Sequence, residues 1–248
     1  MHDPCLSDKL SEAKALIAEL AAYGDARFSL FGARDHKFAV QPAPDGGALA
    51  ELEAFYGCAM PQSFRLFVEA VSDGGIGPYY GFHTTRHMAR TLNERVRKRR
   101  GTVSWLEEDI DIGADLARAA GVSESDAVWS SDVMQALYTE RGEAYLGELV
   151  DRGLFNGTVP LCNYGCGDAY MMTINGPRPG MIWCDSTDSL TGVFCLHVDI
   201  FEFFNAWARD SLIKLEKGDF SPNSVAMSIL EYGQSPLFIS RNPQKTSQ

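Results

Sequence analysis

Residues Pro160 to Trp207 read PLCNYGCGDAYMMTINGPRPGMIWCDSTDSLTGVFCLHVDIFEFFNAW, and this stretch decides the fold. Side chains alternate over residues 169–174, which predicts a strand, and the Pro- and Gly-rich run after it predicts a turn. Residues 181–184 and 193–198 predict two further strands. The stretch therefore predicts a three-stranded antiparallel meander.

A helix is predicted to follow the meander directly. Asp199 stands where an N-cap belongs, and Glu202 comes three residues later, as in a capping box. The apolar residues that recur at helical spacing after the cap are Ile200, Phe203, Phe204 and Trp207. We expect this helix to pack an aromatic face on the sheet.

The rest of the chain is predicted to be mainly helical. Gly, Pro and cap residues bound three amphipathic helices in the first third, at about residues 7–23, 48–57 and 61–72. Between the first two, alternating segments in residues 27–40 predict an edge hairpin. The middle of the chain predicts helices at about residues 91–100, 114–120 and 131–154, and one more short helix is predicted after residue 218.

Composition limits the kinds of function that the chain can have. The 248 residues are 45% hydrophobic, enough for a proper core, and no apolar run approaches the roughly 18–20 residues of a membrane helix. The six cysteines are scattered and no secretory leader follows Met1, so we expect a reducing cytoplasmic setting.

The net charge of −11 is unevenly distributed. Residues 86–100 hold seven basic residues and one acidic residue, which leaves 15 basic and 32 acidic residues elsewhere. Such a surface repels nucleic acid and anionic lipid at long range and attracts basic proteins. We expect a basic protein partner, with no nucleic acid or membrane partner.

Each candidate chemical site has a simpler alternative. Free cysteines in predicted strands act as small hydrophobes, and the spacing of Cys162, Cys166, Cys184 and Cys195 does not suit structural zinc. His83 and His87 lack the glutamate of a metalloprotease helix, and His197 reads as a hydrogen-bonded core or rim residue. We therefore predict no metal, no cofactor and no catalytic residue.

Three short motifs each allow two interpretations. The Gly165-x-Gly167 pair precedes a strand, whereas a dinucleotide loop opens a helix. The pair Asp109-x-Asp111 could bind a divalent ion but sits in an acidic run that is typical of a solvated surface. The basic run at residues 95–100 lacks interleaved aromatics, so a solvated helix end is favoured over a phosphate-binding site.

Two groups of motifs resemble the SMI1/KNR4 family of the SUKH superfamily. The first runs from Leu52 through Tyr56-Gly57 and Met60-Pro61 to Asp73-Gly74-Gly75. The second includes Gly165-Cys166-Gly167-Asp168-Ala169-Tyr170 and the aromatic helix that ends near Trp207. Together they cover about residues 48–77 and 159–216, and Met60 stands where the family usually has leucine.

The resemblance implies an α+β fold with a mostly antiparallel sheet and helices on one side. It implies a single SMI1/KNR4-like domain over residues 1–248, with its core at about 7–83 and 159–216. A helical insertion is then expected at about 84–158, and a C-terminal tail at 218–248.

In function, the resemblance implies protein binding without catalysis. Bacterial members are associated with immunity against toxins, often nucleases, and fungal members with regulation. An immunity protein is the leading hypothesis, a regulatory or scaffolding protein the second, and a metal-dependent hydrolase the third. The partner-binding residues that we predict are acidic: Glu107, Glu108, Asp109, Asp111, Asp185 and Asp188.

Overall fold

The computed structural model describes residues 6–44, 46–96, 103–121, 132–218 and 220. The helices of this part are α1 Leu6–Ala22, α2 Ala33–His36, α3 Gly47–Tyr56, α4 Gln62–Ala70, α5 Thr85–Val96, α6 Ile112–Ala120, α7 Asp132–Asp151 and α8 Ile200–Lys217. The strands are β1 Ile110–Asp111, β2 Thr158–Gly165, β3 Asp168–Thr173, β4 Ile182–Ser186 and β5 Gly192–Cys195. The tail helix predicted after residue 218 and the end of the basic run, 97–100, lie outside the described residues.

The strands form one five-stranded sheet in the order β1-β5-β4-β3-β2. Every neighbouring pair is antiparallel, so the α+β class with an antiparallel sheet is confirmed. The predicted meander is β3, β4 and β5, and Trp183 pairs with Met171 on one side and with Cys195 on the other. The third strand was predicted to end at Val198 but ends at Cys195. The chain leaves the strand there because His197 adopts a left-handed backbone conformation with φ of 56°.

Both faces of the sheet are buried. Successive side chains of a strand point to opposite faces, so Tyr170 and Met172 enter one core while Met171 enters another. Trp183 belongs to the second core and has no exposed surface. The first core also holds apolar residues of α1, α3, α4, α5 and α8, and the second holds residues of α6 and α7.

The expectation of helices on one side of the sheet is therefore wrong. The middle segment 84–158 supplies α6 and α7, whose residues Leu116 and Leu149 are buried in the same cluster as Trp183. The same segment supplies β1, which pairs with β5 at the edge of the sheet. Strands that are apolar on both faces need cover on both faces, and the middle segment provides the second layer.

The predicted hairpin at residues 27–40 is also wrong. The chain forms a 3-10 helix over Gly24–Ser29 and then the single turn of α2. The turn closes through a backbone hydrogen bond of 2.8 Å from Lys37 to Ala33. Phe38 packs into the first core beside Trp207, so its aromatic ring is buried by a helix-rich layer rather than by a partner strand.

A buried ion pair joins α1 to the start of α8. The predicted capping box is confirmed, because the Asp199 carboxylate accepts from the Glu202 N–H and the Glu202 carboxylate accepts from the Asp199 N–H. Lys9 of α1 is only 6% exposed and donates to the same Asp199 carboxylate at 2.9 Å. One carboxylate therefore caps α8 and neutralises a buried ammonium group.

Replacing that carboxylate should destabilise the fold. We expect Asp199→Ala to lower the free energy of unfolding by about 3 kcal/mol, because the cap is lost and the buried Lys9 ammonium loses its 2.9 Å ion pair, while Glu202 lies farther away at 3.7 Å. Asp199→Asn keeps a capping oxygen and should cost less. Urea unfolding measures both values. An Asp199→Asn variant as stable as the wild type would show that the charge of Asp199 contributes nothing, and equal losses for the two variants would show that the cap contributes nothing.

His36 is a buried neutral imidazole. Burial lowers the pKa of His36 to about 4, and its Nδ1 accepts a 3.0 Å hydrogen bond from the Phe38 N–H. Its ring lies edge-on to Trp207 in the first core, with centroids 6.1 Å apart. The unfolded chain, with an ordinary histidine pKa near 6.5, therefore binds a proton at a pH where the folded protein does not.

The titration of His36 should lower the free energy of unfolding at acid pH. Between about pH 6.5 and pH 4 the unfolded state takes up a proton that the folded state refuses, which removes about 3 kcal/mol of unfolding free energy. His36→Asn keeps an acceptor for the Phe38 N–H and does not titrate, so its stability should vary less over this range. Denaturation curves at several pH values check this expectation, and identical pH slopes for the two proteins would contradict it.

Candidate partner-binding surface

The acidic residues predicted to bind a partner fall into two groups along β5. Asp111 pairs with Gly192 at the start of β5, close to the β4–β5 loop that carries Asp188. Asp109 lies at the other end of the strand, where its carboxylate accepts a 2.8 Å hydrogen bond from the Cys195 N–H. Glu107 and Glu108 precede it and are exposed. The structure therefore brings Asp111, Asp185 and Asp188 to one end of the sheet and places the remaining three residues toward the other.

Several of these carboxylates stabilise the fold. The Asp109 carboxylate accepts a hydrogen bond from the Cys195 N–H of β5. Asp111 caps α6 by accepting a hydrogen bond from the Ala114 N–H at 2.8 Å. Asp185 accepts from the N–H and the hydroxyl of Thr187 at 3.2 and 2.6 Å. Of the six predicted residues, Asp188 is the exposed carboxylate on the β4–β5 loop.

The end of the sheet beside Asp188 carries concentrated negative charge. Burial raises the pKa of Asp185, and the neighbouring carboxylates of Asp168 and Asp188 raise it further. Asp168 is buried and accepts from the N–H and hydroxyl of Ser189 at 3.3 and 2.6 Å. Within the described ranges, no three His, Cys, Asp or Glu side chains are grouped so that they could hold a metal ion.

The four cysteines considered as zinc ligands do not converge on one point. Cys162 and Cys184 are buried in the first core, Cys195 is buried in the second core, and Cys166 is exposed in the β2–β3 turn. Burial raises the pKa of the Cys162 and Cys195 thiols, which opposes the thiolate form that zinc requires. These positions do not suit a tetrahedral zinc site.

Of the histidines considered as ligands, two are neighbours and the third lies elsewhere. His83 precedes α5 and His87 lies in its first turn, with ring centroids 4.3 Å apart. His197 is exposed after β5, and its Nδ1 lies 3.0 Å from a guanidinium nitrogen of Arg178. It is thus a rim residue, one of the two positions that the sequence allowed.

Sequence reasoning missed an exposed aromatic pair. Tyr80 and Phe31 are 42% and 39% exposed, and their rings meet edge to face with centroids 5.3 Å apart. The preceding Tyr79 points inward, stacks on Tyr170 at 5.6 Å and lies 3.1 Å from it, hydroxyl to hydroxyl. The chain thus anchors one tyrosine in the core and presents the next to solvent.

The aromatic pair lies beside the acidic end of the sheet. A Cβ placed on Gly165 would be 4.0 Å from the Tyr80 hydroxyl, and one placed on Gly167 would collide with the Asp188 carboxylate. Gly165 ends β2 and Gly167 lies two residues further on, in the β2–β3 turn, so their Cα atoms are at most about 7 Å apart. We name the Tyr80 surface as Phe31, Tyr80, residues 165–167 and Asp188.

The sequence holds a weak signal for this surface. Pro78-Tyr79-Tyr80-Gly81 places two aromatic residues in a turn, where a short loop cannot bury both. The partner ring, Phe31, is far away in sequence and belongs to the segment that was wrongly predicted as a hairpin.

A cleft lies near the start of α5. This cleft of about 370 Å³ is lined by residues 41–44 and by Ala48, Asp73, Thr84, Thr85 and Arg86. The buried Asp73 carboxylate accepts from the N–H and the hydroxyl of Thr85 at 2.8 and 3.1 Å, so it caps α5. The cap already satisfies the first donors of the helix, which weakens the cleft as an anion site.

Comparison with known proteins adds no relative: no family model, curated protein or solved structure matches the chain. Among the described helices, none combines the length and the apolar character that crossing a membrane requires.

Gly32 should be essential to the Tyr80 surface. Its φ is +68°, and a Cβ there would lie 1.9 Å from the Tyr79 carbonyl oxygen. Gly57 has a similar φ of +64° with open space around it, so it is a matched control. We expect Gly57→Ala to cost about 1 kcal/mol of unfolding free energy for its backbone conformation, and Gly32→Ala roughly 1–3 kcal/mol more for the collision.

Thermal or urea unfolding of the two glycine variants measures this difference. Equal losses would show that the Phe31 and Tyr80 loops do not approach each other as described.

Proposed function

We propose that this chain is a non-enzymatic protein-binding domain of the immunity type, which neutralises a cognate toxin by binding it. A basic domain, such as a nuclease, is the partner that its charge favours. The observation that carries the proposal is the Tyr80 surface, where exposed aromatic rings stand beside an acidic sheet end.

The proposal draws support from surface chemistry. Aromatic residues that are exposed and held rigidly are typical centres of protein interfaces, because they bury a large area at little cost in side-chain entropy. Monomeric proteins expose single apolar residues often, but a contacting pair of rings is a patch rather than a scattered residue. A protein surface of complementary shape is the natural ligand for such a patch.

Charge supports a basic partner. The chain carries −11 overall, and the carboxylates of Asp185 and Asp188 lie at the sheet end that borders the Tyr80 surface. Complementary charge mainly accelerates association and selects the partner, while buried aromatic contacts slow dissociation. Binding to a basic nuclease should therefore weaken as salt rises, mostly through the association rate.

The resemblance to the SMI1/KNR4 family enters the proposal as an expectation about class. The aromatic residues of its closing helix form the buried face of α8, and its Gly-Asp-aromatic motif begins β3. Both motifs have structural roles here: the aromatic residues fill the first core, and the Asp168 carboxylate accepts hydrogen bonds from Ser189.

Stoichiometry tests the proposal. We expect the purified chain to inhibit the toxin domain encoded beside its gene at a one-to-one molar ratio, with inhibition complete once binding is complete. The readout is residual toxin activity at fixed toxin and increasing amounts of this chain, at low and high salt.

Inhibition that grows with time at a small fraction of one equivalent would mean turnover and would contradict a binding function. Binding to a cellular signalling protein, with no effect on any neighbouring toxin, would favour the regulatory alternative.

A further inference from the structure

The Tyr80 surface is held rigidly before any partner arrives. Tyr79 adopts a left-handed backbone with φ of 56°, which is uncommon for a bulky residue and persists only where the surroundings impose it. Those surroundings are the stack on Tyr170 and the close approach of Gly32 to the Tyr79 carbonyl. Gly81, on the other side of Tyr80, packs so closely on His36 that a Cβ would lie 2.5 Å from the His36 Cβ.

Rigid presentation favours binding because little side-chain entropy is lost on association. The Tyr80 ring meets the Phe31 ring edge to face, and Tyr80 remains 42% exposed to solvent. An exposed tyrosine ring attracts a guanidinium group, and a carboxylate on the same surface can accept hydrogen bonds from a second basic side chain. Asp188, across the β2–β3 turn, is that carboxylate.

The sheet edges are poor alternatives for a partner strand. Asp109 accepts from the Cys195 N–H at the edge of β5, next to the short strand β1. On the outer side of β2, the Leu161 carbonyl accepts from the His83 N–H, and the Thr158 carbonyl accepts from the Tyr56 hydroxyl. Because side chains and a crossing segment occupy these edge groups, recognition through side chains is favoured over strand addition.

We infer that the Tyr80 surface docks a basic, arginine-bearing segment of the partner protein, an assignment that rests on the proposed function. An arginine of that segment stacks on the exposed ring of Tyr80, while a second basic side chain meets the carboxylate of Asp188. The aromatic pair gives the contact its affinity, and the acidic sheet end gives it charge selectivity.

The test uses the full chain and a synthetic peptide of about nine residues in which arginines alternate with Gly-Ser pairs. A peptide with glutamates in place of the arginines is the probe control. Backbone amide shifts in an NMR titration at low salt report where the peptide binds. We expect the arginine peptide, but not the glutamate peptide, to cause saturable shifts in residues 31–35, 79–82, 165–168 and 187–190.

Matched variants separate the aromatic and charge contributions. Tyr80→Ala should raise the peptide dissociation constant about tenfold. Asp188→Asn should raise it about threefold and make it less dependent on salt. Ile213→Ala on α8 removes another exposed apolar residue, and Glu19→Gln on α1 removes another exposed carboxylate. Both controls should leave the constant unchanged.

The wild-type shift map decides the question even where a variant fails to fold. Shifts spread over the acidic surface without saturation, no binding at millimolar peptide, or equal affinity for folded Tyr80→Ala would each overturn the assignment. A toxin that is neutralised equally by wild type and Tyr80→Ala would refute this surface while leaving the proposed function intact. Peptide binding at the surface by a chain that neutralises no toxin would refute the immunity role alone.

Discussion

The fold depends on burying both faces of one antiparallel sheet. Tyr170 and Trp183, on adjacent strands, have no exposed surface and enter opposite cores. A sheet of this kind must be covered twice, so the chain needs a helical layer on each side. The closing helix α8 belongs to the first layer, and the middle segment contributes α6 and α7 to the second.

Local patterns predicted much of this architecture. The meander and the capping box of α8 follow from side-chain alternation and from the Asp199–Glu202 spacing, which act over a few residues. The second layer was not predicted, because nothing local shows which face of the sheet the middle segment covers. Residues 27–40 were mispredicted because tertiary packing of Phe38 against Trp207 outweighed a short alternating pattern.

The candidate surface was predicted only in part. Acidic residues were chosen from their density in the sequence, and three of them prove to be at one end of the sheet. Asp109 and Asp111 accept backbone hydrogen bonds, a role that charge density alone does not reveal. The Tyr80 surface depends on contact between residues 31 and 80 and on a left-handed backbone at Tyr79, which are properties of the folded chain. It is nevertheless the feature that best joins the fold to a binding function.

The most direct test of the central claim is hydrogen–deuterium exchange of the full chain with and without the toxin domain encoded beside its gene. If the chain binds this partner through the Tyr80 surface, peptides covering residues 78–82 and 165–168 should gain protection in the complex, while α7 should exchange as in the free protein. Protection confined to α7 would move the interface to the second helical layer, and protection confined to the run from Glu107 to Asp109 would move it to the opposite end of the sheet; either result would contradict the account.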